Sequence, residues 1–161
     1  MSQRKLRVGL ISDTHGVLRP QALEYLRGSD FIVHAGDIGN GSILDALEKL
    51  AAVTAVRGNN DNGPWAAALP ESNALRAADV RIYVVHDLKC IDFDVAAAGF
   101  RVVVSGHSHK PVVREQEGVL YVNPGSAGPR RFSLPISVGE LLIRGNIIDA
   151  RLFTLPVGAA P

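Results

Sequence analysis

Short apolar runs alternate with polar loops and helical segments through the first half of the chain. The runs have the length of buried strands, each stops at a polar loop, and they span residues 6–12, 31–35 and 53–56. A first helix is predicted to begin at Pro20 and to stop at Gly28. A second is predicted from Ser42 to Leu50, with Ser42 and Asp45 in a capping box. Strands that alternate with helices predict right-handed crossovers and a parallel sheet.

The pattern changes after Pro70, where apolar and polar residues alternate as they do in strands with one buried face. The alternation predicts a hairpin that runs to residue 86. A helix from Asp92 to Ala98, closed by Gly99, and a strand at 102–104 are predicted next. Hairpin turns at E-Q-E-G and R-G-N-I join further strands near 112–115, 118–122, 139–144 and 147–153.

These elements predict an α/β fold, a four-layer α-β-β-α sandwich in which two mixed β-sheets are flanked by helices. No linker-like stretch interrupts the 161 residues, which predicts a single domain over residues 1–161. The last residues, 157–161, are expected to be frayed.

Composition restricts the classes of function. A formal charge of +1 gives no broad basic field for nucleic acid, so an anionic substrate needs a local site. No apolar stretch reaches the roughly 18 residues of a membrane-spanning helix, and the start of the chain lacks a signal-peptide core. We therefore expect a cytoplasmic protein without a membrane partner. The single cysteine, Cys90, excludes an intrachain disulfide and is expected to be a small buried hydrophobic residue.

Polar side chains follow the predicted strands at the points where the strands end. They are carboxylates, imidazoles and an amide, and they comprise Asp13, His15, Asp37, Asn59, Asp61, His86, His107 and His109. Because open α/β sheets assemble their sites at the carboxyl ends of strands, we expect these side chains to converge. Such ligands suit manganese, iron, zinc, nickel or cobalt, and they suit calcium or a thiolate-based zinc site poorly. Backbone turns beside them are expected at Gly16, Gly36, Gly58 and Gly106.

In chain order these residues form five motifs. The motifs are D-T-H at 13–15, G-D at 36–37, G-N-x-D at 58–61, a histidine at 86 and G-H-S-H at 106–109. The ordered set resembles the calcineurin-like metallophosphoesterases, and among them the compact bacterial and archaeal phosphodiesterases, to which the retromer scaffold subunit is related. The resemblance runs from about residue 7 to about residue 153.

The resemblance implies a site for two divalent cations, with manganese expected and nickel, iron, zinc and cobalt as alternatives. The implied ligands are Asp13, His15 and His109 for one cation, Asn59, His86 and His107 for the other, and Asp37 between them. The implied catalytic residues are Asp37, Asn59, Asn60, Asp61 and His107. The implied reaction is hydrolysis of a small phosphate ester by in-line attack of a hydroxide that the two cations share.

Two positions depart from the pattern of this family. Asn60 stands where the phosphatases carry a histidine, and an amide can bind a phosphoryl oxygen but cannot release a proton to an alkoxide. The sequence therefore favours phosphodiesterase activity on esters with good leaving groups. Asp87 follows His86 where relatives often continue His-Gly-His, and it either orients an imidazole or is a solvated strand end.

Four further residues have an expected role. Arg131, in N-P-G-S-A-G-P-R-R, is a candidate for contact with the substrate phosphate. Asp61 is expected to form hydrogen bonds within the site rather than to ligate. His34 is expected to be a hydrogen-bonded strand residue, and Trp65 to pack under the loop that follows G-N-N-D.

Two other functions remain compatible with the same residues. One is a catalytically weak or inactive scaffold that keeps the fold and binds partner proteins, although this chain retains every implied ligand. The other is a phosphomonoesterase or nucleotide pyrophosphatase with the same metal core. The resemblance also implies a homodimer or a homotetramer.

Overall fold

The computed structural model describes residues 4–157 and contains two five-stranded β-sheets that pack face to face. The two mixed sheets of the predicted α/β fold are confirmed. The predicted domain over residues 1–161 extends past the described range at both ends and stays a prediction. The predicted frayed tail at 157–161 lies, apart from its first residue, outside the described residues. Within 4–157 no helix is both long enough and apolar enough to cross a bilayer.

The strands predicted from the sequence all form. In chain order they are β1 (Leu6–Ile11), β2 (Phe31–His34), β3 (Ala52–Ala55), β4 (Ser72–Ala77), β5 (Val80–Val85), β6 (Val102–Val104), β7 (Val112–Gln116), β8 (Val119–Asn123), β9 (Ser137–Arg144) and β10 (Ile147–Thr154). The helices are α1 (Pro20–Leu26), α2 (Gly41–Glu48) and α3 (Pro64–Ala67), with a 3₁₀ turn at Leu88–Cys90.

Three neighbouring strands of each sheet pair in parallel. The first sheet has the order β10-β9-β1-β2-β3, in which β1, β2 and β3 pair in parallel, β9 pairs antiparallel with β1, and β10 pairs antiparallel with β9. The second has the order β4-β5-β6-β8-β7, in which β5, β6 and β8 are parallel and both edge strands antiparallel. Parallel strands end at the same edge of their sheet, so each sheet presents a row of strand ends from which loops emerge.

Alternation along the central strands divides the core into layers. Val8 and Leu10 of β1 point into the space between the sheets, where they join Val102 and other buried residues of the second sheet. Ile11 points the other way and packs with Leu26 and the remaining apolar residues of α1 and α2. Side chains on the two faces of β1 thus pack into two different apolar clusters. A strand that is buried on both faces has a mostly apolar sequence.

The predicted capping box of the second helix is wrong. Helix α2 begins at Gly41, and its cap is Asn40, whose side-chain oxygen accepts a hydrogen bond of 2.9 Å from the backbone N–H of Ser42. Asn40 has an extended backbone and therefore occupies the cap position itself. Ser42 lies inside the first turn of the helix, so it and Asp45 do not form the predicted pair.

The helix predicted from Asp92 to Ala98 is also wrong, because this segment forms successive turns. The carboxylate of Asp94 accepts a hydrogen bond from the backbone N–H of Ala97 and so closes a turn. Val95 and Phe100 are buried on the outer face of the second sheet. The outer face of the second sheet is thus covered by turns, whereas α1 and α2 cover the outer face of the first sheet. Two buried residues are too few to form the apolar stripe of an amphipathic helix.

The indole of Trp65 packs where the sequence predicts it. Trp65 lies in α3, just after the G-N-N-D loop, and it joins the apolar cluster that α1 and α2 form on the first sheet. A Cβ atom on Gly41 would lie 3.3 Å from Trp65 Cβ, so the start of α2 and α3 are in close contact.

His34 ends β2 and is fully buried, with both ring nitrogens in hydrogen bonds, as predicted. Its Nδ1 accepts from the backbone N–H of Gly36 at 3.1 Å, which leaves the proton on Nε2, 3.0 Å from Thr14 Oγ1. The Thr14 hydroxyl in turn donates to the backbone oxygen of Ile38 at 2.7 Å. Burial lowers the pKa of His34 to about 4, because a cationic imidazole would lose its hydration here.

Acid should therefore destabilise the fold through His34. The unfolded chain binds a proton at this residue below about pH 6.5, whereas the folded chain does so only near pH 4, so stability falls as the pH drops through this window. We expect His34 to account for about 2 kcal/mol of the loss in unfolding free energy between pH 7.5 and pH 5. Urea unfolding of metal-depleted parent and His34→Gln checks this, since the variant should lack that part of the pH dependence. An identical slope in both proteins would contradict it.

Candidate metal centre

The ends of parallel strands from both sheets meet at one edge of the sandwich. The first sheet contributes the loops after β1, β2 and β3, and the second contributes the loops after β5 and β6. These loops bring the predicted site residues together, with Asp13 and His15 after β1, Asp37 after β2, Asn59 and Asp61 after β3, His86 after β5, and His107 and His109 after β6.

The carboxylate of Asp13 joins the two sheets. Its Oδ2 accepts hydrogen bonds from Ser12 Oγ at 2.7 Å and from the backbone N–H of His107, in the second sheet's loop, at 3.2 Å. Its Oδ1 is buried and has no hydrogen-bond partner among the described residues. One oxygen is thus held in place while the other faces the histidines.

Two imidazoles lie against the free oxygen of Asp13. The Nε2 atoms of His15 and His109 are 3.3 Å apart, and they lie 3.9 and 3.4 Å from Asp13 Oδ1. Burial lowers the pKa of His15, and this effect outweighs the nearby carboxylates of Asp37 and Asp13, which raise it. A neutral imidazole offers a lone pair, which is the form that binds a metal.

Asp37 lies between His15 and His86. Its Oδ2 is 3.7 Å from His15 Nε2 and 3.3 Å from His86 Nε2, while Asn60 donates to both oxygens, from its backbone N–H at 2.9 Å and from Nδ2 at 3.0 Å. Burial on its own raises the pKa of Asp37, but hydrogen bonds from His86 and Asn60 lower it by more. The net pKa of Asp37 is therefore well below the usual range. Asp37 is therefore ionised at neutral pH.

The ring of His86 is oriented by the backbone. Its Nδ1 lies 2.7 Å from the carbonyl oxygen of Ala35, so it donates there and directs Nε2 to the site. Burial lowers the pKa of His86, but hydrogen bonds with Asp37 and Ala35 raise it more, so the net pKa is above its ordinary value. A cation at this position would take the place of the proton that His86 and Asp37 share.

Asn59 and His107 form the outer part of the group. Asn59 Oδ1 lies 3.0 Å from His86 Nε2 and 3.3 Å from His107 Nδ1. The His107 side chain keeps 47% of its surface exposed, whereas those of His86 and His109 are almost fully buried. Its Nδ1 faces Asn59 while its Nε2 faces Asp87, so His107 turns Nδ1, not Nε2, toward the site.

Five of the predicted ligands have left-handed backbone conformations, which are uncommon for residues other than glycine. Their φ angles are 54° for Asp13, 45° for His15, 55° for Asp37, 72° for His107 and 63° for His109. D-T-H and H-S-H therefore share one shape, in which two left-handed ligands flank a small residue. Such strain concentrates at functional sites, because the surrounding structure has to compensate for it.

Two glycines allow the loops to approach closely. A Cβ atom on Gly106 would collide with Ser12 Oγ and Asp13 Oδ2, and one on Gly58 would collide with the backbone N and Oδ1 of Asp37. Any side chain at either position would push the strand-end loops apart.

The N-P-G-S segment fixes two of the ligand loops, a role that sequence reasoning missed. Asn123 Nδ2 donates to the backbone oxygen of Gly106 at 3.0 Å and to Ser108 Oγ at 3.1 Å. Ser126 Oγ donates to the backbone oxygen of Asp13 at 3.0 Å. The late position of N-P-G-S in the motif order was the only signal in the sequence, and it indicated proximity but not these contacts.

Asp61 and Arg131 lie at the periphery of the group. The carboxylate of Asp61 accepts backbone hydrogen bonds from Gly39 at 3.0 Å and Gly58 at 2.8 Å, so it holds the loops after β2 and β3 together. Arg131 is exposed and near enough to His15 to contribute to the lowering of its pKa. It is therefore on the His15 side of the group.

A cleft of about 370 Å³ opens beside Asn59, His86 and His107. Its walls include Arg57, whose Nη2 lies 3.0 Å from the exposed Glu71 carboxylate. Cys90 also lines this cleft and is exposed, so the predicted burial of Cys90 is wrong. The 3₁₀ turn that ends at Cys90 leaves its side chain on the surface, and composition gave no sign of that turn.

The donor atoms fit divalent transition metals. Two groups of ligand atoms have all members within 4.8 Å of one another, and they comprise Asp13, His15 and His109, and Asp13, Asp37 and His86. Nitrogen and carboxylate oxygen are suitable donors for such ions. The unpaired Asp13 Oδ1 faces the imidazoles, where a cation would satisfy it. Asp13 and Asp37 each reach histidines of both groups, although the resemblance assigns the bridge to Asp37 alone.

Known proteins are similar to this chain in both sequence and fold. The profile of the calcineurin-like phosphoesterase superfamily domain matches residues 6–145. A probable metallophosphoesterase of Methanothermobacter thermautotrophicus is 34% identical over 157 residues, which cover 90% of each chain. Phosphodiesterase YfcE of Escherichia coli K12 is 25% identical over 166 residues, which cover 84% of this chain and 87% of that protein.

A solved structure supports the fold. The structure of Vacuolar Protein Sorting 29 from Cryptosporidium parvum superposes with a TM-score of 0.76 at 19% identity, over 93% of this chain and 98% of that one. The profile match across most of the sequence, together with a relative that is 34% identical over nine tenths of both proteins, shows that the chain belongs to the calcineurin-like phosphoesterase superfamily.

Proposed function

We propose that this protein is a phosphodiesterase that depends on two divalent metal ions, with manganese as the expected metal. The observation that carries the proposal is the buried Asp13 carboxylate, whose free Oδ1 lies within 4.0 Å of three imidazoles. Several relatives are named phosphodiesterases, which supports a diester as substrate.

The proposed ligand sets are those that the resemblance implies, and the convergence of these side chains supports them. Asp13, His15 and His109 would hold one cation, and Asn59, His86 and His107 the other, with Asp37 between them. Bound cations would supply an activated water and positive charge at the phosphoryl oxygens. The chain's own residues position these groups, since Asp61 holds two of the loops and Asn60 holds Asp37 in its ionised form.

Substrate binding is proposed to involve both sides of the ligand group. The exposed Arg131, on the His15 side, is suited to a charge-assisted hydrogen bond with a phosphate oxygen. The cleft beside His107 has polar and charged walls and can accept one ester group of a small substrate.

A scaffold function receives no separate support from the site. The neighbour named for vacuolar sorting shows a similar fold at low identity, and a fold is shared by proteins with different functions. The ligand groups gathered here favour chemistry instead.

Removal of the central carboxylate should abolish activity. Metal-depleted protein refilled in turn with Mn²⁺, Ni²⁺, Fe²⁺, Co²⁺ or Zn²⁺ should hydrolyse bis(4-nitrophenyl) phosphate, and Asp37→Asn should lower kcat/KM by at least about 100-fold, since the site loses a charge that holds its cations. Asp79→Asn is the matched control, because Asp79 lies in the β4–β5 turn at the opposite end of β5 from His86. Activity of Asp37→Asn within threefold of the parent, or none in the parent with any metal, would contradict the proposal.

The leaving-group range should depend on Asn60. The amide of Asn60 donates to Asp37 and cannot release a proton to a departing alkoxide. We expect Asn60→His to raise kcat/KM for a dinucleotide relative to bis(4-nitrophenyl) phosphate by roughly tenfold, because imidazolium is a competent acid near neutral pH. Asn146→His places the same ring in the exposed turn between β9 and β10 and should leave that ratio unchanged. If both variants shift the ratio equally, the account of the missing acid fails.

Arg131 should contribute to binding rather than to chemistry. Its loss removes a contact made equally in the ground state and the transition state, so Arg131→Ala should raise KM about 3- to 10-fold with kcat within twofold of the parent. Steady-state kinetics with Arg130→Ala, which removes the neighbouring charge, provide the comparison. A KM that changes in neither variant would exclude Arg131 from the substrate site.

A further inference from the structure

Asp87 is held in a fixed position beside the proposed metal centre. It follows His86 at the end of β5 and caps the 3₁₀ turn Leu88–Cys90, where its Oδ1 accepts a hydrogen bond of 3.0 Å from the backbone N–H of Lys89. Its second oxygen, Oδ2, lies 3.7 Å from His107 Nε2. This separation is longer than a hydrogen bond, and contacts of this kind often tighten when a site is loaded.

The ring of His107 is oriented oppositely to that of His86. His86 donates from Nδ1 to Ala35 O and turns Nε2 to the site, whereas His107 turns Nδ1 to Asn59 Oδ1 and Nε2 to Asp87. A neutral imidazole has one protonated nitrogen and one lone pair, and the proton resides on the nitrogen that faces an acceptor. Both ring nitrogens of His107 face an oxygen, Asn59 Oδ1 at Nδ1 and Asp87 Oδ2 at Nε2. The carboxylate is the stronger acceptor because it is anionic, so it favours the proton on Nε2 and the lone pair on Nδ1.

His107 is also the most exposed of the four predicted histidine ligands. The side chain of His107 is 47% exposed, while those of His15, His86 and His109 are at least four fifths buried and are packed by the loops around them. An exposed ring can rotate among several positions, and fixing it costs entropy that a prepositioned partner reduces.

We propose that Asp87 is a positioning residue for His107, fixing its ring and tautomer so that Nδ1 is presented to the second cation. The inference rests on the proposed dinuclear site and goes beyond it, because it assigns the affinity of one of the two cation positions to a residue that is not itself a ligand. Partners of this kind change metal affinity by about 10- to 100-fold.

Binding of Mn²⁺ to metal-depleted protein, measured by calorimetry with a competing chelator, tests the inference. Asp87→Asn keeps an oxygen for the Lys89 cap but removes the carboxylate, and it should weaken one equivalent of Mn²⁺ by 10- to 100-fold and leave the other within about twofold. Asp87→Ser, which can also cap the turn, should behave alike. Asp94→Asn is the matched control, because Asp94 caps a turn away from the site and should change neither equivalent.

A second pair of variants separates positioning from the loss of a negative charge near a cation. If Asp87 acts through the imidazole, Asp87→Asn should have no further effect on Mn²⁺ binding when it is added to His107→Ala. Parental affinity in Asp87→Asn, an equal loss in Asp94→Asn, or a full additional loss in the double variant would overturn the inference and leave the dinuclear site intact. A parent that binds fewer than two Mn²⁺ would overturn both.

Discussion

The hydrogen bond between the backbone N–H of His107 and the Asp13 carboxylate is the contact on which the geometry of the site depends. It joins a loop of the first sheet to a loop of the second, so the sandwich and the ligand group are fixed by the same atoms. The contact requires Gly106, because a side chain there would occupy the space of Ser12 Oγ and Asp13 Oδ2. Asn123 and Ser126 also hold the two loops, through hydrogen bonds to the backbone oxygens of Gly106 and Asp13. Convergence of residues distant in sequence is thus a consequence of how the sheets meet.

The left-handed ligands show how the chain keeps those loops short. In D-T-H and H-S-H the two ligands flank a small residue, and the left-handed backbone at each ligand directs both side chains to the site from one tight turn. Thr14 is buried and hydrogen-bonded, so it stabilises the turn while His15 and Asp13 carry the strain. Residues in this conformation cost free energy, and hydrogen bonds to neighbouring loops offset that cost, as from His15 N to the Asp37 carbonyl oxygen at 2.9 Å.

The sequence predicted elements where a single physical pattern dominates and failed where local competition decides. The strands were predictable because apolar runs such as β1 are buried on both faces. The segment at 92–98 was not, because Asp94 closes a turn and Val95 and Phe100 alone anchor it to the second sheet. The ligand types were predictable from their ordered motifs. The roles of Asn123 and Ser126, and the cleft that Arg57 lines, were not predictable from the sequence. They depend on tertiary contacts, which leave no periodic pattern in the sequence.

The cost of burying unpaired ligand atoms indicates metal binding more directly than the fold does. Asp13 Oδ1 and His109 Nδ1 are buried without partners among the described residues, and leaving such a group unsatisfied costs about 1–3 kcal/mol. A protein that used only its surface would gain stability by replacing these side chains with apolar ones of similar volume. Here the chain keeps the carboxylate, keeps its pairing with Ser12 and His107, and surrounds its free oxygen with imidazole nitrogens. Cations that bind there would satisfy the free oxygen, so the expense of the arrangement is explained by metal binding and not by the fold alone.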